Sequence, residues 1–244
     1  MRTIGLLGGM SWVSTTHYYE LINREVAQRL GGDHCAPLVL WQTDFAEITA
    51  LQQVGAWEEA GAKLAEGAAA LVRAGADVVG IGANTMHLVA DQVEAALGAA
   101  ELVHIVDAVR DACVASDIRT IGLLGTAYTM ESPELYPPRL GSAGIEVLVP
   151  GAAARAEVQR ITFEELIHDR ATDGARTTFH EVARELCSRG AEGIVLACTE
   201  HGLLLADGDL DGPGSGTDPD ARIPILDSTV VHARALVAAA MAEA

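Results

Sequence analysis

The tetrad Cys198-Thr199-Glu200-His201 is a dense run of chemistry-bearing side chains in this 244-residue sequence. A cysteine followed by a hydroxyl side chain, where a strand gives way to a helix, can have its thiolate stabilised by the helix N-terminus. Such a thiolate serves as a base or a nucleophile. The other cysteines, Cys35, Cys113 and Cys187, show no CxxC spacing. Neither a disulfide framework nor a metal site is therefore expected, and these three read as small buried hydrophobes. His201 could share a proton with Cys198 or sit satisfied in the core, and the core reading is preferred. Glu200 reads as a structural hydrogen-bond acceptor rather than a general base.

An internal repeat announces the elements that must position this tetrad. The heptapeptide RTIGLLG occurs at Arg2–Gly8 and again at Arg119–Gly125. Gly75–Ala83 then parallels Gly190–Cys198, and Val103–Asp107 parallels Ile223–Asp227, so the offsets are 117, 115 and 120 residues. Three collinear matches mark a duplication. Each repeat opens on an apolar run ending in glycine, the pattern of a strand buried on both faces in a parallel sheet. Helical periodicity follows over Thr16–Leu30, Ala56–Ala74, Glu157–Leu166 and Thr178–Arg189. Ser132 and Asp173 are candidate helix starts, and Gly75 and Gly190 candidate stops.

Alternating strands and helices predict an α/β fold of two pseudo-symmetric domains, each a parallel sheet flanked by helices. The expected lobes are residues 1–103 with 229–244, and residues 104–228. The last helix, Val230–Ala244, could cross back to pack on the first lobe. Asp207–Asp220, rich in Gly, Asp and Pro, reads as a surface loop. Asp107 and Asp227 are expected to fix loops at equivalent strand ends.

Ligands of open parallel sheets bind beyond the carboxyl ends of the strands. Those ends carry Gly8–Ser11, Ala83–His87, Gly125–Thr129 and Cys198–His201, and a shared cleft between the lobes is the expected site. The repeat sets Ala83 opposite Cys198. Asn84 could orient a substrate carboxylate. Thr85, Thr126, Thr129 and Thr199 could donate to one, or simply cap local turns. His87 could orient the loop at Ala83.

Composition narrows the function classes. The net charge is −18 and Lys63 is the single lysine, which argues against a nucleic-acid surface. No uncharged apolar run reaches the length of a membrane span. The N-terminus runs straight into a strand pattern without a signal peptide, so a cytoplasmic location is expected. Gly5–Gly9 does not have dinucleotide-binding spacing, and no cofactor is expected.

Several motifs in order carry a family resemblance along nearly the whole chain. They are Gly5–Trp12 with Tyr18-Tyr19 and Ile22-Asn23, Asp44–Ile48 with Leu51-Gln52, and Asn84–His87. Gly122–Thr126 with Thr129-Met130, Cys198–Glu200, and Asp227–Thr229 with His232-Ala233 complete the series. The sequence resembles the aspartate/glutamate racemases, pyridoxal-independent two-domain enzymes and, by the same resemblance, homodimers. The resemblance implies that Met10, Ser11 and Gln52 line the pocket for a small amino-acid or dicarboxylate substrate. It also implies a cysteine from each half, one thiolate removing the α-proton and the other thiol reprotonating the opposite face.

Ala83 breaks that pattern, because a methyl group moves no proton. Three readings stay open. The chain could be a one-sided racemase of aspartate or glutamate working through Cys198. It could be a single-cysteine decarboxylase or cis-trans isomerase of small dicarboxylic acids. It could also be an engineered Cys-to-Ala variant or a non-catalytic binding homologue.

Overall fold

The structure, a computed structural model, describes residues 1–210 and 222–242. Most of the loop expected over Asp207–Asp220, and the last two residues expected in the final helix, lie outside the described residues. The chain divides into two compact units, Met1–Ala108 with Thr229–Ala244, and Val109–Ser228.

In the first unit the strands are β1 (Ile4–Gly8), β2 (Leu38–Gln42), β3 (Val78–Ile81) and β4 (Glu101–Leu102). All pair parallel, in the order β2-β1-β3-β4. The central strands β1 and β3 are wholly buried, which is why they read as unbroken apolar runs rather than as alternating patterns. The helices are α1 (Trp12–Leu30), α2 (Phe45–Gln53), α3 (Trp57–Arg73), α4 (Ala90–Ala95) and the first turn of α5 (Ile105–Ala115), within which the unit boundary falls. One face of the sheet packs Leu7, Val79 and Ile81 with Leu64, Ala68 and Leu71 of α3. On the other, Ile4, Leu6 and Val78 pack with Tyr18, Ile22 and Val26 of α1.

The second unit repeats the plan with β5 (Thr120–Gly125), β6 (Glu146–Leu148), β7 (Gly193–Ala197) and β8 (Ile225–Asp227), all parallel, in the order β6-β5-β7-β8. Its helices include α6 (Ala127–Met130), α7 (Tyr136–Gly141), α8 (Ala152–Glu164) and α9 (Asp173–Ser188). Phe179, Ala183 and Leu186 of α9 pack with Leu124, Ile194 and Leu196 of the sheet. The duplication is therefore a repeat of topology, extending to β2 and β6, where no sequence repeat is visible. The final helix α10 (Ser228–Met241) lays Ala233, Leu236, Val237 and Ala240 on the first unit's core, as its position after the second repeat suggested.

Both glycine stops hold, with Gly75 and Gly190 at positive φ of 95° and 105°, a conformation open to glycine without a side-chain penalty. Helix α9 starts where expected, at Asp173, and the capping side chain is one residue earlier: Thr172 accepts from the Ala175 N–H. Ser132 starts no helix. Its hydroxyl accepts from the Glu134 N–H in a turn, and α7 begins at Tyr136.

Asp107 is likewise not a strand end. Pairing in β4 stops at Leu102, and the His104 ring accepts the Val106 N–H at 3.2 Å. That bond caps the chain into α5, whose first turn holds Asp107. Pro224, at the equivalent place in the second repeat, offers no such side chain, and β8 runs on to Asp227. Among the four cysteines, Cys113 and Cys198 are buried, Cys187 is half-buried and Cys35 is exposed. The expectation of a buried Cys35 fails because it sits in the surface connection between α1 and β2.

Candidate active site

Each unit gathers its expected site residues at the carboxyl ends of its central strands. In the first unit β1 leads into a turn at Gly9, whose φ is 82° and where a Cβ would overlap the Thr43 carbonyl oxygen. The Gly9 N–H donates to Thr15 Oγ1 at 2.8 Å, and that hydroxyl donates to the Ser11 carbonyl at 2.9 Å. Ser11 is the N-cap of α1, accepting the Ser14 N–H at 3.4 Å. Met10 and Ser11 are buried in this turn. Gln52 approaches from α2, buried, its amide donating to Met86 Sδ at 3.1 Å.

Beyond β3 the chain turns through Ala83 and Asn84 into a 3-10 helix, Thr85–Val89, all but Leu88 buried. His87 fixes this turn. Its Nδ1 lies 2.8 Å from the Ala83 carbonyl oxygen, and its Nε2 lies 3.2 Å from the Ile105 N–H at the start of α5. A backbone N–H can only donate, so Nε2 accepts and Nδ1 carries the proton that it gives to Ala83. His87 thus orients the loop at Ala83, with both ring nitrogens committed to the backbone.

Two further histidines join it, with ring centroids 4.5 Å away for His104 and 5.8 Å for His232. Nε2 of His232 donates to the Val103 carbonyl at 2.8 Å, and its Nδ1 meets the Tyr18 hydroxyl at 2.8 Å. Burial pulls the His232 pKa down from 6.5 to about 4, so the ring is neutral. Nothing in the sequence assigns a role to Tyr18, His104 or His232. His104 and His232 each stand between apolar neighbours in the sequence and Tyr18 between His17 and Tyr19, and only the fold brings them together.

In the second unit β5 ends at Gly125 and passes to Thr126 and Thr129, both buried, with hydroxyls 3.3 Å apart. Gln159 of α8, which the sequence did not single out, accepts the Ala127 N–H at 2.7 Å. Cys198 follows β7 directly, and His201 closes the turn, its N–H donating to the Cys198 carbonyl. The Cys198 thiol donates to Glu200 Oε2 at 3.2 Å, and the Thr199 hydroxyl donates to the same oxygen at 2.7 Å. Among the described residues, the buried Glu200 Oε1 has no hydrogen-bond partner.

This environment reverses the expected electrostatics of Cys198. Burial pushes its thiol well above the ordinary range, and the Glu200 charge pushes the same way, with a smaller push from Asp227. The turn continues into a single 3-10 turn, His201–Leu203, too short for a helix macrodipole. Cys198 therefore rests as a protonated thiol. Tyr136, fully buried nearby, is also held protonated by burial.

His201 takes its core role. Fully buried, it meets Thr162 Oγ1 through Nε2 at 2.9 Å and packs edge-on against Phe179. Burial lowers its pKa to about 3 against a smaller opposing influence from the Leu124 backbone, and among the described residues its Nδ1 meets no partner in hydrogen-bond geometry. Asp227 presses against Gly202, where a Cβ would overlap its carboxylate. No group of three or more His, Cys, Asp or Glu side chains among the described residues is gathered as metal ligands. No described helix is long and apolar enough to cross a membrane.

Two parallel-sheet units of matching order, with polar turns at equivalent strand ends, define the two-domain α/β fold of the amino-acid racemases. The family model of Asp/Glu/hydantoin racemases matches residues 7–236, and the chain belongs to that family. A Yersinia pestis protein provisionally described as an Asp/Glu racemase is 40% identical, with a TM-score of 0.85 over 99% of this chain and 100% of its own. An aspartate racemase homologue from Pyrococcus horikoshii is 30% identical, with a TM-score of 0.80 over 99% and 100%. At 22% identity, Picrophilus torridus aspartate racemase shares the fold, with a TM-score of 0.74 over 98% of this chain and 94% of its own.

Proposed function

We propose that this protein is a cofactor-independent racemase of aspartate or glutamate in which Cys198 moves the α-proton. The α-proton of an amino acid is weakly acidic, so its removal needs a close base and stabilisation of the enolate-like carboxylate that develops. The observation that carries the reading is the thiol of Cys198, at the end of a central strand and bonded to a buried carboxylate. Ser11, Asn84, Thr85, Thr126, Thr129 and Thr199 are the proposed carboxylate-binding groups, with Met10 and Gln52 shaping the pocket.

Position 83 supplies no second thiol, and His87 has both nitrogens engaged. Proton delivery is accordingly one-sided, with a rate of inversion set by a weaker donor such as water. The same alanine favours a second reading, a single-thiol decarboxylase or cis-trans isomerase of small dicarboxylic acids. A homodimer in the cytoplasm is the proposed state.

The test is incubation of each aspartate and glutamate enantiomer in deuterium oxide, with proton NMR and chiral chromatography. Deuterium at the α-carbon that disappears in Cys198→Ala, with faster inversion in Ala83→Cys, is the expected result. Absence of exchange with all four substrates overturns the racemase reading. Carbon dioxide release from substituted malonates, or conversion of maleate to fumarate, would establish the second.

A further inference from the structure

A thiol held in its protonated form cannot take a proton from carbon until its own has gone somewhere. The acceptor within reach is Glu200, whose Oε2 lies 3.2 Å from Cys198 Sγ. Three features separate this carboxylate from a structural acceptor. It is 4% exposed, so water does not satisfy it. Two donors, the Cys198 thiol and the Thr199 hydroxyl, converge on one oxygen. The other oxygen is buried and has no hydrogen-bond partner among the described residues. A buried carboxylate left half-satisfied costs stability, about 1–3 kcal/mol for an unmade hydrogen bond. Such costs are concentrated where the group has work to do.

We propose that Glu200 and Cys198 form a carboxylate–thiol acid–base pair, with Glu200 as the positioning residue that stores the thiol proton during turnover. The proposal rests on the proton-transfer reading of Cys198. In the forward step the Sγ–H bond breaks and an Oε2–H bond forms, leaving a thiolate beside a carboxylic acid. The thiolate takes the substrate's α-proton, becoming a thiol again, and the electron pair passes into the enolate-like carboxylate. When the thiol returns its proton to the same face, the thiolate is regenerated and recovers its proton from Glu200. When water protonates the opposite face, the thiol keeps the substrate's proton and Glu200 gives its own to the hydroxide left behind. Nothing is oxidised or reduced, either route restores the thiol beside the carboxylate, and deuterium enters from solvent through the exchangeable thiol or through water.

The arrangement has a sign that distinguishes it from simple thiol activation. A carboxylate suppresses the thiolate at rest and assists only when its proton affinity is used. Among the described residues of its own unit, the ionisable groups acting on Cys198 include Glu200, Asp227 and Tyr136, none of them cationic, and a hydrogen bond from the Glu200 backbone opposes their push. The fully buried His201 is turned to Thr162 and Phe179, and it does not relieve that suppression.

The experiment compares wild type, Glu200→Gln and Glu200→Asp in a Cys35→Ser, Cys187→Ser background. Two readouts are taken: iodoacetamide alkylation of Cys198 against pH, and α-deuterium incorporation into aspartate and glutamate. In Glu200→Gln the alkylation curve moves to lower pH, while isotope exchange falls about a hundredfold or more, the usual size of a lost acid–base partner. Glu200→Asp keeps the charge and recovers part of the exchange. A merely structural glutamate does not increase thiolate while decreasing turnover. An unmoved alkylation curve, or undiminished exchange in Glu200→Gln, overturns the proposal. If wild type exchanges no substrate, the racemase reading fails, and the alkylation shift alone decides whether the pair exists. Melting temperatures by circular dichroism identify a variant that has merely unfolded, and Glu200→Asp then carries the comparison.

Discussion

Lowering the pH from 7 to 5 should remove roughly 4 kcal/mol of folding stability, through two histidines the fold keeps neutral. His232 and His201 are fully buried, and burial lowers their pKa values from 6.5 to about 4 and about 3 respectively. In the unfolded chain both protonate near pH 6.5, whereas in the fold they stay neutral through pH 5. The unfolded state therefore binds more protons as the pH falls, and stability declines with it. Each histidine contributes about 2 kcal/mol over this interval, at 1.36 kcal/mol per unit of pKa difference. The loss continues below pH 5, until each folded-state pKa is reached. Urea unfolding followed by far-ultraviolet circular dichroism measures it, in a window that ends above the ordinary carboxylate range. His201→Gln starts less stable, yet should lose about half of the pH slope. A stability that is flat or rises from pH 7 to pH 5, or a His201→Gln slope equal to that of wild type, refutes the reasoning.

Other perturbations follow from single bonds and turns. Gly9→Ala forces a side chain into a positive φ and against the Thr43 carbonyl, at a conformational cost of roughly 1–2 kcal/mol before the overlap is counted. Its urea midpoint should fall, with a loss smaller than 1 kcal/mol contradicting the assigned turn. Tyr18→Phe strips His232 Nδ1 of its donor and should cost about 1–3 kcal/mol, readable as a lower melting temperature. In the native protein a thiol reagent should modify the exposed Cys35 first, and Cys35→Ser should remove that fast phase. A fast phase that persists would mean another thiol is more accessible.

How much of this was legible beforehand depended on where each residue sits. Strands β1, β3, β5 and β7 are buried on both faces, so burial wrote itself into continuous apolar runs and even into repeated heptapeptides. The edge strands β2 and β6 are half-exposed, so neither pattern nor repetition marked them. The strand ends carrying Gly9, Ala83, Thr126 and Cys198 could be located because glycine and the repeat punctuate them. The direction of the Cys198 shift could not. It depends on Glu200 folding back onto the thiol, a geometry that adjacency in sequence does not reveal. The same holds for Asp107, where one His104 ring nitrogen converts an expected strand into a helix start, and for the histidine cluster, whose members lie 17 to 145 residues apart in the chain.

The bond from His87 to residue 83 ends on a carbonyl oxygen, not on a side chain. The architecture of that corner is consequently indifferent to what residue 83 carries, provided the group is small enough to fit. The substituent there can therefore be exchanged without renegotiating the scaffold around it. The corner behaves as a socket that grips the backbone and leaves the side chain free to vary.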